Sequence, residues 1–281
     1  MVKSTALQVW PIPAFSDNYI WCIHDGQSAL IVDPGDAGPV IHFLQENRLQ
    51  LMGILITHYH ADHIGGIAAL LKATANGASL PVYGPAAEPI AGLTQAFMQG
   101  DEVEIAAPAI HLQVLEVPGH TLGHIAYFAP AKRAEEQIAN KPSVEEPPRL
   151  FCGDTLFASG CGRLFEGTPT QMRASLAKFA ALPSNTLVYC THEYTLSNIR
   201  FALAVEPNNP DLIAWAKRAE ALRELNLPTL PTTIDQEIKT NPFMRCDQAV
   251  VRQVAQQVAG QPQLSGASEV LAAIRAWKDR F

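Results

Sequence analysis

An α/β fold, with mixed sheets covered by helices and a helical C-terminal region, is what the sequence predicts. Three observations carry it. Short runs rich in β-branched residues recur through the first two thirds of the chain. Helix-patterned stretches separate some of these runs, and others follow closely enough to be hairpins. From Leu196 onward only helical patterns remain.

The strand-like runs lie at residues 30–32, 53–56, 114–117, 125–128, 150–152 and 186–190. Each is short, apolar and bounded by turn residues, as buried strands are. Helical patterns fall at 38–46, 64–74 and 170–180, the second weakened by Gly65 and Gly66. In the last third, Asn208-Asn209-Pro210-Asp211 marks a helix start before an alanine- and leucine-rich stretch to Leu225. Pro228 and Pro231 interrupt it, and further helices are expected at 233–239 and 268–279. This change of texture suggests two domains, 1–194 and 195–281. A polar, proline-bearing segment at 130–148 reads as an exposed loop with no assigned role.

Bulk properties narrow the function classes. The 281 residues are 48% hydrophobic and 17% charged, which suits a globular protein and excludes general disorder. A net charge of −7 gives no attraction to nucleic acid or to anionic membranes, so neither is expected as a partner. No apolar run approaches the ~18 residues of a membrane span, and the first residues lack the apolar core of a signal peptide. Five scattered cysteines without a C-x-x-C pair read as thiols of a reducing compartment. The expectation is a soluble, cytoplasmic monomer.

The chemistry is concentrated in Thr57-His58-Tyr59-His60-Ala61-Asp62-His63, between a strand-like run and a helical one. Three imidazoles and a carboxylate converge on one turn, and such donors suit borderline divalent metals. A solvated His/Asp loop is the bland alternative, and it leaves the spacing without explanation. Three further donors stand directly after strand-like runs: His120 in Gly119-His120-Thr121, Asp154 in Gly153-Asp154-Thr155, and His192 in Thr191-His192-Glu193. His24, His42 and His111 are isolated and read as packed or surface residues. His124 reads as packing or as a hydrogen-bond partner near the site. Asp33 is either a turn residue or the partner of a metal-bound histidine.

These segments, in this order, resemble the metallo-β-lactamase superfamily. Closer features resemble its glyoxalase II branch, the hydroxyacylglutathione hydrolases: Asp17-Asn18-Tyr19, Val32-Asp33-Pro34-Gly35, the stretch from Cys161 to Thr168, Asn241-Pro242-Phe243-Met244-Arg245 and the tail from Arg275 to Phe281. The resemblance implies a four-layer αββα sandwich with a C-terminal all-helical subdomain. It also implies two divalent ions, zinc first, with iron and manganese accepted by the same ligands. One ion would be held by His58, His60 and His120 and the other by Asp62, His63 and His192, with Asp154 bridging them.

Such a pair lowers the pKa of a bridging water from about 15.7 toward roughly 7 and so supplies a hydroxide. Asp62 and Asp154 are then the catalytic carboxylates. The implied reaction is hydrolysis of S-D-lactoylglutathione and related S-2-hydroxyacylglutathiones to glutathione and the hydroxy acid, the second step of methylglyoxal detoxification. Arg163, Phe165, Tyr194, Arg275 and Lys278 would hold this small-molecule thioester. Arg275 and Lys278, three apart on a predicted helix, share a face and would grip one carboxylate. Where the family often has Lys and Tyr in K-x-Y-E-G-T, this chain has Arg163 and Phe165, which keeps a charge and loses a hydroxyl. Arg245 reads as structural. The rival readings are a glutathione persulfide dioxygenase with a single iron and another hydrolase of the superfamily.

Overall fold

The apolar run at 53–56 belongs to one strand of a six-stranded mixed sheet in a computed structural model that describes residues 6–74, 80–131 and 146–281. Most of the expected loop at 130–148 lies outside the described residues. The chain divides into two compact units, one drawn from residues 1–116 and 125–153, the other from 117–124 and 154–281.

In the first unit the sheet runs in the order β1 (Gln8–Ala14), β2 (Asn18–His24), β3 (Ser28–Val32), β4 (Gln50–Leu55), β5 (Val82–Pro85) and β6 (Gln95–Phe97). The first three strands are antiparallel to one another, and those from β3 onward are parallel. Parallel neighbours need a crossover. Helix α1 (Ala37–Asn47) supplies it between β3 and β4, and α2 (Ala61–Ile64) with α3 (Ile67–Ala73) lead from β4 toward β5. Val40 and Leu44 of α1 and Ile67 and Leu70 of α3 bury against Ile20, Ile31, Ile54 and Ile56. The alternate residues Trp21, Ile23, Leu30, Val32 and Leu55 are buried as well. Both faces of the central strands are therefore apolar, and β2 is buried along its whole length. Pro11 and Pro13 broke the sequence pattern of β1 and are tolerated because β1 is an edge strand. The same unit holds four antiparallel strands, β7 (Glu102–Ala106), β8 (Ala109–Glu116), β9 (Ile125–Ala129) and β10 (Arg149–Gly153).

The second unit begins with a tight hairpin, β11 (Leu156–Phe157) and β12 (Gly160–Cys161). Helix α4 (Pro169–Ala180), strand β13 (Leu187–Cys190) and helices α5 (Thr195–Val205) and α6 (Pro210–Glu224) follow. Strand β14 (Thr232–Thr233) pairs with β13, and α7 (Ile234–Thr240), α8 (Ala249–Ala259) and α9 (Ala267–Lys278) complete the chain. The sequence signalled the start of α6 correctly: Asn209 caps it and Pro210 opens it. The sequence reading did not identify α8.

Residues 154–194 group with the helices in this unit, although the change of texture suggested a division after 194. Hydrogen bonding explains the grouping. The hairpin backbone is buried and needs partners. Asn198 of α5 donates to the Ala158 carbonyl at 3.0 Å, and Asn241 donates to the Gly160 carbonyl at 2.9 Å. Glu237 of α7 accepts from the Ser159 N–H at 2.8 Å and from Asn241 at 3.0 Å.

Glu237 is fully buried, and burial pushes its carboxyl from the usual 4.5 up to about 7, against three donors that favour the anion, the Ser159 N–H, Asn241 and Thr232. Between those values the folded chain keeps a proton that the unfolded chain has released, so stability falls as pH rises through the window. Glu237→Gln removes this dependence. Its stability relative to the native chain should grow by about 1.4 kcal/mol per pH unit from 5 to 7 and then level off, as urea unfolding at each pH would show.

Candidate metal centre

The turn after β4 owes its shape to Asp33, which ends β3 in the left-handed conformation, φ 52°. Its N–H bonds to the Leu55 carbonyl at 2.9 Å. Its carboxylate accepts from both the N–H and the hydroxyl of Thr57 at 2.8 Å and stands 3.1 Å from Nδ1 of His63. The Thr57 oxygen in turn lies 3.2 Å from Nδ1 of His58. One buried carboxylate thus orients two imidazoles, one directly and one through a hydroxyl, which is the contact that the histidine-partner reading of Asp33 expects. Gly35 permits the close packing: a Cβ there would stand 2.0 Å from the Asp62 carbonyl oxygen. On the same turn His58 Nε2 and His60 Nδ1 are 3.0 Å apart, and His63 Nε2 is 3.7 Å from Asp62 Oδ2. Beneath β4, Tyr127 donates to the Ile56 carbonyl at 3.0 Å, and burial holds its phenol well above the usual range.

In the second unit His120, Asp154 and His192 meet around one oxygen. Asp154 Oδ2 stands 3.5 Å from His120 Nε2 and 3.4 Å from His192 Nε2. His120 Nδ1 donates to the Arg163 carbonyl at 2.9 Å, which leaves the Nε2 lone pair turned toward Asp154. His124 is not a fourth donor; its Nε2 accepts the Asp154 N–H at 3.1 Å and so holds that backbone. His192 stacks on Tyr194 with ring centroids 4.6 Å apart.

The Glu166-Gly167-Thr168 segment, known from sequence only by resemblance, fastens the His120 loop. Glu166 accepts from the Leu122 N–H at 2.8 Å, Gly167 lies against the Gly119 backbone, and Thr168 caps α4 in a reciprocal capping box with Gln171. Gly162 closes on Asp154 as Gly35 does on Asp62, since a Cβ would stand 2.0 Å from the Asp154 carbonyl oxygen.

The donor chemistry fits divalent ions. Ligands about 2.1 Å from a tetrahedral centre lie about 3.4 Å from one another. The Nε2–Oδ2 separations in the second unit match that value, and those on the turn bracket it at 3.0 and 3.7 Å. All seven residues fall in groups of His and Asp able to hold a metal ion.

The other site residues expected from sequence also lie in the second unit. Arg163, Phe165 and Arg275 line a groove of about 420 Å³ with Leu164, Pro169, Ala272, Ala276 and Asp279. Phe165 is exposed and meets His120 edge-on at 5.3 Å. Arg163 is exposed, with Nε 3.6 Å from Asp279. Arg275 and Lys278 do not form the free pair that their spacing suggested. Arg275 is buried and donates to the Cys161 carbonyl and to Asp279, each at 2.9 Å. Lys278 sits with its ammonium 5.2 Å from the Phe201 ring centre, and burial, followed by Arg275, lowers its pKa to about 8. Arg245 is structural: it forks onto Glu206 at 2.7 and 2.9 Å.

Two residues near the site escaped the sequence reading. Glu88 accepts the N–H of Tyr59, between two candidate ligands, and Glu193 accepts from Thr229 at 2.9 Å. Nothing in sequence marks Glu88, a lone acid in a loop. Glu193 adjoins His192 and could be noticed only by that adjacency.

Comparisons with known proteins agree with this arrangement. The model of the metallo-β-lactamase superfamily matches residues 15–192, and that of the hydroxyacylglutathione hydrolase C-terminus matches residues 193–281. A hydroxyacylglutathione hydrolase of Cupriavidus taiwanensis is 55% identical over 278 residues, covering 98% of this chain and 99% of the relative. One from Cupriavidus metallidurans is 54% identical with the same coverage. Among solved structures, ETHE1 from Myxococcus xanthus shares the fold with a TM-score of 0.61 at 23% identity, covering 98% of each chain.

Asp33→Ala would strip buried partners from Thr57 and His63. It should cost about 3 kcal/mol or more in urea unfolding of the metal-free protein. Asp36→Ala removes only the exposed N-cap of α1 and should cost about 1 kcal/mol. Equal costs would mean that Asp33 is an ordinary turn residue.

Proposed function

The chain belongs to the hydroxyacylglutathione hydrolases of the metallo-β-lactamase superfamily, and on that premise we propose that it hydrolyses S-D-lactoylglutathione and related S-2-hydroxyacylglutathiones. It is a metal-dependent thioester hydrolase of the α/β metallo-β-lactamase fold. The observation that carries the substrate assignment is a match that runs through the C-terminal helices, beyond the part that the whole superfamily shares.

In this reading His58, His60 and His120 hold one ion, Asp62, His63 and His192 hold a second, and Asp154 serves both. Zinc is the first candidate. Bound there, the ions would supply a hydroxide at neutral pH and polarise the thioester carbonyl. The chain's own residues do the rest. Asp33, Thr57 and the Arg163 carbonyl fix imidazole tautomers, so that nitrogen lone pairs stay available. Asp62 orients the attacking oxygen. As the new C–O bond forms and the C–S bond breaks, the glutathione sulfur leaves as a thiolate and needs no strong acid. Asp154 presents Oδ2 to both His120 and His192.

Glutathione presents two carboxylates. Arg163, on the groove rim, and Lys278, whose charge is poorly solvated, are the proposed anchors. Phe165 and Tyr194 supply apolar contact beside His120 and His192. Arg275, already bonded to Cys161 and Asp279, contributes positive potential and holds the turn that carries Arg163. The five cysteines are buried and form no disulfide, which suits a reducing compartment, where glutathione is abundant. Among the described residues no helix is long and apolar enough to cross a membrane.

Purified protein should cleave S-D-lactoylglutathione with close to two metal ions per chain, and chelation should abolish turnover. Oxygen uptake with glutathione persulfide, one iron per chain and no thioesterase activity would replace this reading with the dioxygenase. Arg163→Ala and Lys278→Ala should each raise KM by about fivefold to thirtyfold with kcat little changed, since these groups bind far from the reacting carbon. Arg275→Ala should chiefly lower the unfolding midpoint. A KM unaltered in both Arg163→Ala and Lys278→Ala would remove them from the binding site.

A further inference from the structure

We propose that Asn18 is a positioning residue for Asp62, tethering its carboxylate so that the turn retains its metal. The inference rests on the metal-ligand reading above and assigns a role to a residue that none of the donor sets contains. Asn18 opens β2, directly after the three-residue tip that joins it to β1. Its side chain is buried at 5% exposure, and its amide nitrogen donates to Asp62 Oδ2 at 3.1 Å across 44 positions of sequence.

Asp62 needs such a tether more than its neighbours do. His58 and His63 are wholly buried and bear on one another, with ring centroids 4.0 Å apart. Packing, together with Asp33 and the Thr57 hydroxyl, restricts their rotamers. The Asp62 side chain is 40% exposed and lies in the first turn of a four-residue helix, where water competes for it. Its backbone is clamped against Gly35. Its carboxylate is steered by the amide of Asn18, in a charge-assisted bond to Oδ2, the same oxygen that stands 3.7 Å from His63 Nε2 and keeps a second lone pair for an ion. A primary amide suits this position because it donates without carrying a charge and does not titrate. An aspartate there would repel Asp62 or compete for the ion, and an aliphatic side chain would leave the carboxylate to solvent.

The test compares the native chain with Asn18→Ala and Asn18→Leu, the second keeping roughly the volume while removing the donor. Each is loaded with zinc, analysed for metal content, and followed as zinc passes to a chromogenic chelator; the metal-free proteins are unfolded thermally. Zinc release from one of the two sites should be about tenfold to a hundredfold faster in both variants. The metal-free midpoints should stay within about 3 °C of the native one. Release at the native rate would overturn the proposal. So would metal-free proteins destabilised as strongly as the loaded ones, since Asn18 would then be a packing residue. Failure of the functional reading itself is distinguishable, because it appears in the native chain as absent zinc uptake or absent thioester hydrolysis.

Discussion

A buried imidazole can serve as a metal ligand only if its other nitrogen is held, and the local structure around both donor sets follows from that constraint. An unheld ring loses both its tautomer and its direction. Here His63 faces Asp33, His58 faces the Thr57 hydroxyl that Asp33 also binds, and His120 donates to the Arg163 carbonyl. Asp33 consequently serves Thr57 and His63 directly and His58 through Thr57. Its left-handed backbone places the carboxylate under the turn, and the αL penalty of a non-glycine residue is offset by the bonds that the position makes possible. The holding groups are themselves fastened by apolar strands: Leu55 and Ile56 are completely buried, which fixes where Thr57 begins.

Backbone approach is the second requirement, and it is met in the same way in both units. Asp62 and Asp154 each follow a strand by a few residues, and each has a glycine pressed against its own carbonyl. Any side chain at Gly35 or Gly162 would push a carboxylate-bearing segment away. The His120 loop has no regular structure of its own, and so it is pinned by Glu166, by Gly167 and by the Ser175 hydroxyl, which donates to the Pro118 carbonyl at 2.8 Å. A segment that looks like a substrate signature in sequence is, in its acidic and small residues, a brace for a ligand loop.

How far the sequence can be read depends on whether a feature is local. The strands at 30–32, 53–56 and 150–152 and helices α1, α4, α6, α7 and α9 were legible, because buried apolar runs, helix periodicity and caps are local signals. The hairpin of β11 and β12 was not, since it is two residues on each side and is satisfied by Asn198, Glu237 and Asn241 from distant helices. The candidate donors stand out in sequence by residue type and by their place after strands. Their supports do so less. Glu88 reaches Tyr59 across 29 positions, and Asn18 reaches Asp62 across 44, and no spacing rule connects such pairs. The spacing of Arg275 and Lys278 did predict a shared helix, but it could not tell that Arg275 would be turned inward onto Cys161.

The two departures from the family pattern, Arg163 and Phe165, both meet the candidate ligand His120. Arg163 anchors His120 through its backbone carbonyl, which lysine would supply equally well. Phe165 meets His120 as an aromatic ring, edge-on, and a tyrosine ring could make the same kind of contact. Any cost of these changes therefore falls on ligand recognition rather than on the donor set. Lys278 works in the opposite direction. Burial and the nearby Arg275 hold its pKa at about 8, so its charge is poorly solvated. A carboxylate bound beside it would replace lost solvation and return the group toward its usual range. With Lys278 as the proposed anchor, discrimination in favour of an anionic thioester would rest on desolvation as much as on the number of positive charges.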